Sequence, residues 1–443
     1  MKVISWIGTI SALPRSSTAT EATIPLSNEH IQSSSPKLLL SDPCCSLSEI
    51  PSSSTASQSQ DTSCSTLQSN LSLLTLPSVP SLQKISPESL QVSVSHLCVS
   101  SLKPNTCIGC LAVSGDLLYV ASGSEINVYS LTNYAHIDAF NGNSSSGSVK
   151  SLAFSEGKAF TAHQDSKIRV WQLTPTKRHQ HVATLPTVKD RVRRFVLPKN
   201  YVRVRRHKKR LWIEHADAVS GLAVRNGLIY SVSWDKCLKV WRASDLRCLE
   251  SVKAHEDAIN AVAVSVDGTV YTAGADRRIR VWGRTSGERR HTLIATLEKH
   301  KSAVNALALT SDASVLFSGA CDRSILVWER EDSAHHMAVT GALRGHTGAI
   351  LCLVNISDFL VSGSSDRTVR IWRRGRDSRF CCLTVLEGHE RPVKSLVALS
   401  DSVSSGSISV CSGSLDGETK VWQVLISNLR SSLSSSDTVR WKF

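Results

Sequence analysis

Residues 345–372 read GHTGAILCLVNISDFLVSGSSDRTVRIW and contain, in complete form, a unit that recurs along the chain. A His is followed four residues later by an apolar run, a short turn and a second run that contains a Ser. An Asp then precedes a Trp by six residues. Short apolar runs separated by turn signals predict β-strands joined by tight turns. The unit is therefore predicted to form a small antiparallel sheet.

The spacing of the Trp residues gives the period of this unit. Five of them follow one another at intervals of 41, 46, 44 and 50 residues: Trp241, Trp282, Trp328, Trp372 and Trp422. A sixth, Trp171, stands 70 residues before the first of these. A period of about 40–45 residues is typical of a four-stranded propeller blade, and longer intervals indicate loop insertions.

Over residues 93–425 the chain resembles the WD-repeat family. The family signature is a Gly-His early in each unit and a Trp-Asp at the end of its third strand. Gly345-His346 and Gly388-His389 match the first part, but an Asp never follows the Trp. The residues at that place are Gln172, Arg242, Gly283, Glu329, Arg373 and Gln423. Because this position is exposed in such repeats, the departure leaves the resemblance intact.

The internal part of the family motif is a hydrogen-bonded chain of a His, a Ser or Thr, an Asp and a Trp. By resemblance, five such structural tetrads are His215-Ser231-Asp235-Trp241, His255-Thr272-Asp276-Trp282, His300-Ser318-Asp322-Trp328, His346-Ser362-Asp366-Trp372 and His389-Ser412-Asp416-Trp422. A partly buried Asp needs donors, which the imidazole and backbone groups can supply. The tetrads are therefore predicted to brace the blades.

Two further units are less complete. The sixth has Ser145 where the His is expected but keeps Thr161, Asp165 and Trp171. The seventh, LLYVASGSEINVYS at 117–130, has Tyr129 in place of the Trp and no recognisable Asp turn.

Closure of the ring tests the number of blades. An apolar strand follows the earlier Trp residues, as in RCLESV at 247–252, whereas none follows Trp422. The missing outer strand is predicted to be SHLCVSSL at 95–102, which has the required alternation. Sealing the ring with both ends removes its exposed edges. The expected fold class is all-β, a seven-bladed WD-repeat β-propeller.

A His, a Ser and an Asp also suggest nucleophilic catalysis. A catalytic triad is needed once and has to open onto a pocket, whereas this set recurs in five units. The sequence also lacks a phosphate-binding loop, an HExxH helix and a GxSxG elbow. We therefore predict a protein that is not an enzyme, with no catalytic residue, cofactor or metal.

Several stretches are similar to the plant Jingubang-type WD-repeat proteins, in order and in wording. They are WDKCLKVW, GACDRSILVWER, ALRGH, VLEGHERPVKSL and the end of an insertion, RRHKKRLW. The resemblance implies a non-enzymatic protein-interaction scaffold that regulates plant reproductive growth, including pollen, through bound transcription regulators or signalling proteins. We expect a monomer in the cytoplasm and nucleus, with protein partners, no membrane and no direct nucleic-acid contact.

The two ends differ in composition from the repeats. Residues 1–92 are rich in Ser, with Pro, Thr and Gln, and such a segment buries too little apolar surface to offset its ordering entropy. It is predicted to be a disordered leader, within which LSLLTLPSVPSL at 71–82 could dock as a short linear motif. Residues 426–443 are predicted to be a C-terminal tail.

The positive charge is concentrated in one insertion. The chain carries 51 Lys and Arg against 37 Asp and Glu, and residues 177–210 contribute 13 of the former and one of the latter. We place this basic loop at 175–209, between the third strand of the second unit and RLWI at 210–213 as its fourth. That connection would lie on the face opposite the His loops. Within it, VRRFVL, PKN and YVRVRR at 192–206 are predicted to form a β-hairpin.

Four interpretations of this insertion remain open. The basic cluster Arg203, Arg205, Arg206, Lys208, Lys209 and Arg210 matches a nuclear-import signal. The same charge could dock an acidic partner or bind nucleic acid, or it could be only a solvated loop. Nucleic-acid binding prefers aromatic side chains for stacking, and only Phe195, Tyr201 and Trp212 are available.

A second class of function is the substrate receptor of a cullin-type ubiquitin ligase. Such receptors carry Trp-Asp-x-Arg or Trp-Asp-x-Lys at a blade end, which none of the six Trp positions matches. A nuclear factor that contacts nucleic acid through the basic loop is the third.

The cysteines and the start of the chain bear on the compartment. Thirteen scattered cysteines, an odd number, fit reduced thiols inside a cell, and Cys107-x-x-Cys110 lacks the second pair or His that a zinc site needs. The opening MKVISWIGTISA weakly resembles a signal peptide, but the cysteine count and the basic cluster favour the cytosol and nucleus.

Overall fold

Seven four-stranded antiparallel sheets form the blades of a β-propeller, which confirms the predicted fold class. The computed structural model describes residues 79–83, 92–104, 106–142, 144–205, 208–284, 290–331, 337–375, 378–400 and 407–428. Most of the predicted leader and residues 429–443 of the predicted tail lie outside the described residues.

Blades 1 to 6 each run in chain order from an inner to an outer strand, and each strand pairs with the next one along the chain. Blades 1 to 3 contain β2 (Ile108–Ser114), β3 (Leu117–Ser122), β4 (Glu125–Ser130) and β5 (His136–Phe140); β6 (Val149–Ser155), β7 (Lys158–His163), β8 (Ile168–Leu173) and β9 (His179–Leu185); and β12 (Val219–Arg225), β13 (Leu228–Ser233), β14 (Cys237–Arg242) and β15 (Cys248–Lys253).

Blades 4 to 6 repeat the arrangement. They contain β16 (Ile259–Val264), β17 (Val270–Gly274), β18 (Ile279–Gly283) and β19 (Thr292–Leu297); β20 (Val304–Leu309), β21 (Val315–Ala320), β22 (Ile325–Arg330) and β23 (Met337–Leu343); and β24 (Ile350–Ile356), β25 (Phe359–Ser364), β26 (Val369–Arg374) and β27 (Phe380–Leu386).

Blade 7 joins the two ends of the propeller. It contains β28 (Val393–Ser400), β29 (Ser407–Ser414), β30 (Thr419–Asn428) and, as its outer strand, β1 (Val92–Leu102). The pairing of β1 with β30 runs antiparallel from Val92 opposite Asn428 to Leu102 opposite Thr419. The predicted closure is thus confirmed, with a strand three residues longer at its start.

The core lies between adjacent blades, where the middle strands are almost wholly apolar and buried. In blade 5, for example, every residue of β21 is buried. Amide side chains on the inner strands link one blade to the next: Asn260 Nδ2 donates to the Val304 carbonyl at 3.1 Å, and Asn305 Nδ2 donates to the Ile350 carbonyl at 2.9 Å. Packing and these hydrogen bonds together fix the order of the ring.

Gly319 on β21 shows how closely the blades approach. A Cβ at this position would lie 2.4 Å from Ile350 Cγ2 of blade 6. Gly319→Val is expected to lower the free energy of unfolding by about 1–3 kcal/mol, because the added methyls have to displace a buried neighbour. Chemical denaturation measures the change, and Val266→Ala, at an exposed site, is a control that should be near neutral.

The structure corrects the predicted path of the basic insertion. The fourth strand of blade 2 is β9, which pairs with β8, and RLWI at 210–213 is not part of that sheet. The prediction failed because HQHVATL at 179–185 is more polar than RLWI. The inserted residues therefore follow the fourth strand and connect blade 2 to blade 3.

The predicted hairpin is also wrong. Residues Val188–Phe195 form the helix α1, which is followed by a 3-10 turn at Pro198–Asn200. The hairpin that does form pairs β10 (Tyr201–Arg205) with β11 (Lys208–Leu211). We call residues 186–213 the appendage.

A short segment of the predicted leader is held against the ring. Residues 79–83 bridge the outer strands of blades 5 and 6, with Ser81 parallel to Ala342 and Gln83 parallel to Phe380. Val79 is buried in the core between blades 4 and 5. The structured part of the chain thus includes a piece of the segment that composition alone predicts to be disordered.

Candidate functional site

The structure brings together the four side chains of each of the five tetrads. In blade 6, Trp372 Nε1 donates to Ser362 Oγ at 2.9 Å, and His346 Nε2 lies 2.8 Å from the same oxygen. His346 Nδ1 lies 2.7 Å from Asp366 Oδ2. The other four tetrads share these contacts, with Nδ1 to carboxylate distances of 2.9–3.2 Å.

The donors and acceptors of a tetrad fix one direction for its series of hydrogen bonds. Indole N–H can only donate, so the hydroxyl oxygen accepts from Trp and directs its own proton to His Nε2. The ring is then neutral, and its Nδ1–H donates to the carboxylate. Burial lowers the pKa of His215, His346 and His389, as a neutral ring requires.

The carboxylates stay ionised inside this network. Burial opposes the ionisation of Asp235, but the His215 ring and the backbone N–H of Ala216 stabilise the anion and hold its pKa well below its ordinary value. The pKa of Asp366 is lowered in the same way by His346 and Thr368, against the effect of burial. Each Asp turn is therefore tied to the His loop before its blade.

The tetrad hydroxyls are not placed to attack a substrate. Ser231, Thr272, Ser318, Ser362 and Ser412 all have 0% of their surface exposed. A nucleophile has to reach a bound molecule, whereas these oxygens lie under packed strands. The geometry is that of a brace.

Blade 2 has a variant of the tetrad that the sequence did not predict. Trp171 Nε1 donates to Thr161 Oγ1 at 3.0 Å, and the imidazole beside that oxygen belongs to His163, with its Nε2 2.7 Å away. Ser145 lies exposed in a 3-10 turn instead. Asp165 pairs with Arg169 at 2.7 Å. A His two residues after the hydroxyl residue was the signal available.

Blade 1 is held by smaller groups. Ser122 Oγ donates to the Thr106 carbonyl at 2.8 Å and also lies 2.7 Å from Thr106 Oγ1. This contact joins the loop before β2 to the end of β3. Tyr129 is partly buried and packs edge-on against His136.

Buried acid–His pairs between outer strands also escaped the sequence analysis. His179 of blade 2 donates its backbone N–H to Asp138 Oδ2 of blade 1 at 2.8 Å, and its Nδ1 is 3.0 Å from the same oxygen. His291 of blade 4 contacts Glu250 of blade 3 in a similar way: its backbone N–H donates to Oε1 at 2.8 Å, and its Nδ1 lies 2.9 Å from Oε2. In both pairs the acid and the His are 41 residues apart, which is one repeat unit. Each pair therefore links the outer strands of two adjacent blades.

The appendage lies on the face that carries the His loops and Asp turns, which we call the His-loop face. Arg210 Nη1 donates to the carbonyl of His215 at 2.7 Å, and the adjoining cleft includes Asp235 of the Asp turn of blade 3. The prediction that it lies on the opposite face is wrong, because the insertion follows β9 rather than β8.

Buried polar groups anchor the appendage to blade 3. Thr187 caps α1 by accepting the N–H of Asp190, whose carboxylate accepts from Arg194 Nε at 3.0 Å and from the Cys248 N–H at 3.2 Å. Arg194 in turn donates to the Cys248 carbonyl and stacks on Trp212, 4.4 Å from the ring centroid. This part of the insertion is folded structure, because its polar groups are satisfied by the blade.

One side of α1 faces solvent with apolar residues. Val188, Val192, Phe195 and Val196 have the spacing of a single helix face and are 65–77% exposed. The opposite side carries the buried Asp190. We call these four residues the apolar stripe. They do not contribute to the core, and an exposed apolar patch on an anchored helix is typical of a contact surface.

A cleft of about 850 Å³ separates the β10–β11 hairpin from the outer strand of blade 3. Its apolar lining includes Val202, Val204 and Leu249, each of them exposed. Its exposed cations include Arg203 and Arg290. Three of its four acidic lining residues are engaged, Asp235 by His215, Glu250 by His291 and Glu214 by Arg191, while Asp217 is exposed and accepts the N–H of Ala218.

The predicted basic cluster is only partly described. Arg203 and Lys209 are exposed and Arg210 is half-buried, while Arg206 lies outside the described residues. For Arg205 and Lys208 the structure describes the backbone, in β10 and β11. The described part of the cluster thus borders the cleft.

Several cysteine thiols are buried in the blades. Burial raises the pKa of Cys248, Cys352 and Cys411 to about 12, which keeps these thiols protonated. Among the described residues, one group has the spacing for an ion, His389 with Asp416 and Glu418, and two of its members belong to the tetrad of blade 7. In the described chain, helices fall short of the length and apolarity that crossing a bilayer requires.

Comparison with known proteins finds the repeat in four places. The family model "WD domain, G-beta repeat" matches residues 246–283, 291–329, 337–373 and 380–423. Each match joins the outer strand of one blade to three strands of the next.

Relatives match over part of the propeller. Telomerase protein component 1 of Mus musculus is 26% identical over 233 residues, 49% of this chain and 8% of that protein, and its Rattus norvegicus counterpart is 25% identical over the same length. An uncharacterized WD repeat-containing protein of Schizosaccharomyces pombe is 38% identical over 74 residues, 16% of this chain and 14% of that protein. The chain spans 8–14% of the length of these relatives. The chain is thus a seven-bladed propeller in which residues 246–423 contain four repeats that match the WD40 model.

Proposed function

We propose that this protein is a non-catalytic interaction scaffold and that its appendage binds an acidic partner segment with apolar side chains. The observation that carries the proposal is the exposed apolar stripe of α1 on a rigidly anchored, strongly basic insertion. WD40 propellers typically bind other proteins. The appendage is a surface that the repeats themselves do not supply.

The apolar groups and the cationic groups of the insertion attract different residues of such a partner. The stripe offers four apolar side chains that the fold leaves in water, and covering them on binding is favourable. Residues 177–210 hold 13 basic groups and one acidic group, which attract a segment rich in Asp and Glu. The combination supports a protein partner with both kinds of residue.

The aromatic side chains support protein over nucleic acid. Trp212 is covered by Arg194, and the Tyr201 hydroxyl donates to the Phe195 carbonyl at 3.1 Å. Phe195 alone of the three is exposed. Single-stranded nucleic acid is bound by several stacking rings along a groove, which this arrangement does not offer.

Paired substitutions test the proposal. They leave β9 in place, whereas a deletion of residues 177–210 would remove it. Val192→Asp with Phe195→Asp, and Arg203→Glu with Arg290→Glu, are each expected to weaken partner binding at least tenfold, about 1.4 kcal/mol or more. Partners captured by wild-type protein are identified by mass spectrometry, and their affinities are measured as salt is raised.

The matched control is Leu97→Asp on β1, which is 66% exposed and lies in another blade. It should leave binding intact. Partners retained by both appendage variants, or lost equally with Leu97→Asp, would contradict the proposal. An oligonucleotide that competes for the same surface would favour the nucleic-acid interpretation instead.

We further propose, from the plant family resemblance, that the scaffold is a monomer that serves regulatory partners, including transcription regulators or signalling proteins of reproductive growth, in the cytoplasm and nucleus. The basic cluster supports import. Fluorescent fusions of the full chain test this: replacing Arg203, Lys209 and Arg210 by Gln should reduce the nuclear fraction, and an unchanged distribution would count against an import role.

A further inference from the structure

Residues 79–83, VPSLQ, occupy a groove at the rim of the propeller between blades 5 and 6. The N–H of Leu82 donates to the Ala342 carbonyl at 3.1 Å, and the N–H of Ala342 donates to the Pro80 carbonyl at 2.9 Å. The N–H of Phe380 donates to the Leu82 carbonyl at 2.8 Å. The segment therefore satisfies backbone groups on the outer edges of two blades, as an added strand does.

The side chains of Val79 and Leu82 insert into pockets on either side of this backbone. Val79 is 4% exposed and packs in the same core cluster as Met337 and Ala342. Leu82 packs against the cluster that contains Phe317 and Phe380. Apolar residues three positions apart thus enter neighbouring pockets.

Gly341 makes room for the second side chain. A Cβ at this position would lie 2.3 Å from Leu82 Cγ, so any larger residue would exclude the leucine. Gly341 lies on β23, in the outer strand of blade 5. The groove is therefore shaped for a leucine at this position.

Polar contacts from Arg344 define the two ends of the groove. Its Nη2 donates to the Val79 carbonyl at 2.8 Å, and its own carbonyl accepts a hydrogen bond from the Gln83 side-chain amide. Ser81 and Pro80 face solvent. The site thus selects Val at the first position, Leu at the fourth and Gln at the fifth, with little demand on the second and third, whose side chains face solvent.

From these contacts we propose that the groove between blades 5 and 6 is a peptide-binding site for extended Val-x-x-Leu-Gln segments of partner proteins, and that residues 79–83 occupy it in cis and compete with them. The chain's own segment is the occupant that defines the pattern. It is held by two apolar side chains and a few hydrogen bonds, so it can open without disturbing the blades. This site is separate from the appendage, which projects from blade 3.

The test displaces the segment and adds it back as a peptide. The full chain is made with Val79→Asp and Leu82→Asp, and the probe is a fluorescent peptide of residues 76–86, LPSVPSLQKIS. Anisotropy should show at least tenfold tighter binding to this variant than to the wild type, whose groove is filled. Adding Gly341→Leu to the variant should abolish binding, and Ser81→Ala is the matched control that should behave as wild type.

Equal binding to the wild type and the displaced variant, or binding that survives Gly341→Leu, would overturn the proposal. A second measurement covers the case in which the double variant does not fold. In Leu82→Ala, the Ala342 amide should exchange its hydrogen faster than in wild type, because its acceptor is Pro80 of the segment. Unchanged exchange would show that the segment does not open as proposed. Neither readout depends on partners of the appendage.

Discussion

Trp372→Ala is expected to lower the free energy of unfolding by about 3–5 kcal/mol, the range found for removing a large buried aromatic side chain. Trp372 is fully buried in blade 6 and donates to Ser362 Oγ at 2.9 Å. The substitution removes packing between two blades and also takes a donor from the tetrad. Denaturant unfolding followed by circular dichroism measures the loss.

Two further variants separate packing from hydrogen bonding. Trp372→Phe keeps much of the ring but has no N–H, so the loss should fall to about 1–3 kcal/mol. Tyr129→Ala, at the equivalent place in blade 1, removes a partly buried ring without a tetrad and should cost less than Trp372→Ala. If Tyr129→Ala were as damaging, the tetrad would not be the brace that we describe.

Acidification is expected to destabilise the propeller from about pH 6.5 downwards. His215, His346 and His389 have lowered pKa values because they are buried, and burial with the nearby Arg169 lowers the pKa of His163 to about 3. Unfolded histidines take up protons near pH 6.5, whereas these folded rings do not. The unfolded state then binds more protons, so stability falls with pH by up to about 1.4 kcal/mol per pH unit for each ring.

The aspartates add to this loss at lower pH. Burial opposes the ionisation of Asp322, but hydrogen bonds from His300, Ser324 and the Lys301 N–H outweigh it and lower the pKa of Asp322 to about 2. Its contribution is present above the ordinary Asp pKa, near 4, and is lost as the pH falls below it. The histidines thus account for the loss between about pH 6.5 and pH 4, and the aspartates add to it below about pH 4.

His163→Gln tests the histidine part of this expectation. The amide cannot take up a proton, so the slope of stability against pH between about 6.5 and 4 should be shallower than in wild type. Equal slopes would mean that His163 is not held neutral. His181→Gln is the control, because His181 is exposed on the same blade.

The repeats were predictable because their signals are local and recur. Each tetrad needs a donor and acceptor of fixed type within one unit, and the constant six residues from Asp to Trp fix the turn between β-strands. Closure through β1 followed from counting strands. The tetrads were inferred from residues within one unit. Closure needed only one contact between distant residues, the pairing of the first and last strands of the propeller.

The appendage was not predictable from alternation. Val192, Phe195 and Val196 fit a helix face as well as a strand, and the capping sequence of Thr187 and Asp190 was the local signal for the helix. Its anchor, the contact of Asp190 with Cys248, joins residues 58 positions apart. The groove for residues 79–83 depends on Gly341 and Arg344 more than 250 positions away, which no local pattern indicates.

The pairing of β1 with β30 has a consequence for how the protein is made. Ser93 Oγ and Ser427 Oγ are 2.7 Å apart, although 334 positions separate them. At about 5–20 residues per second, a ribosome would need roughly 20 s to a minute to cover that distance. Throughout this time the first strand of the propeller has no partner and is available to chaperones or to other nascent chains. The last blade can therefore form only after β30 has been translated, and a chain cut short before β30 would leave the ring open.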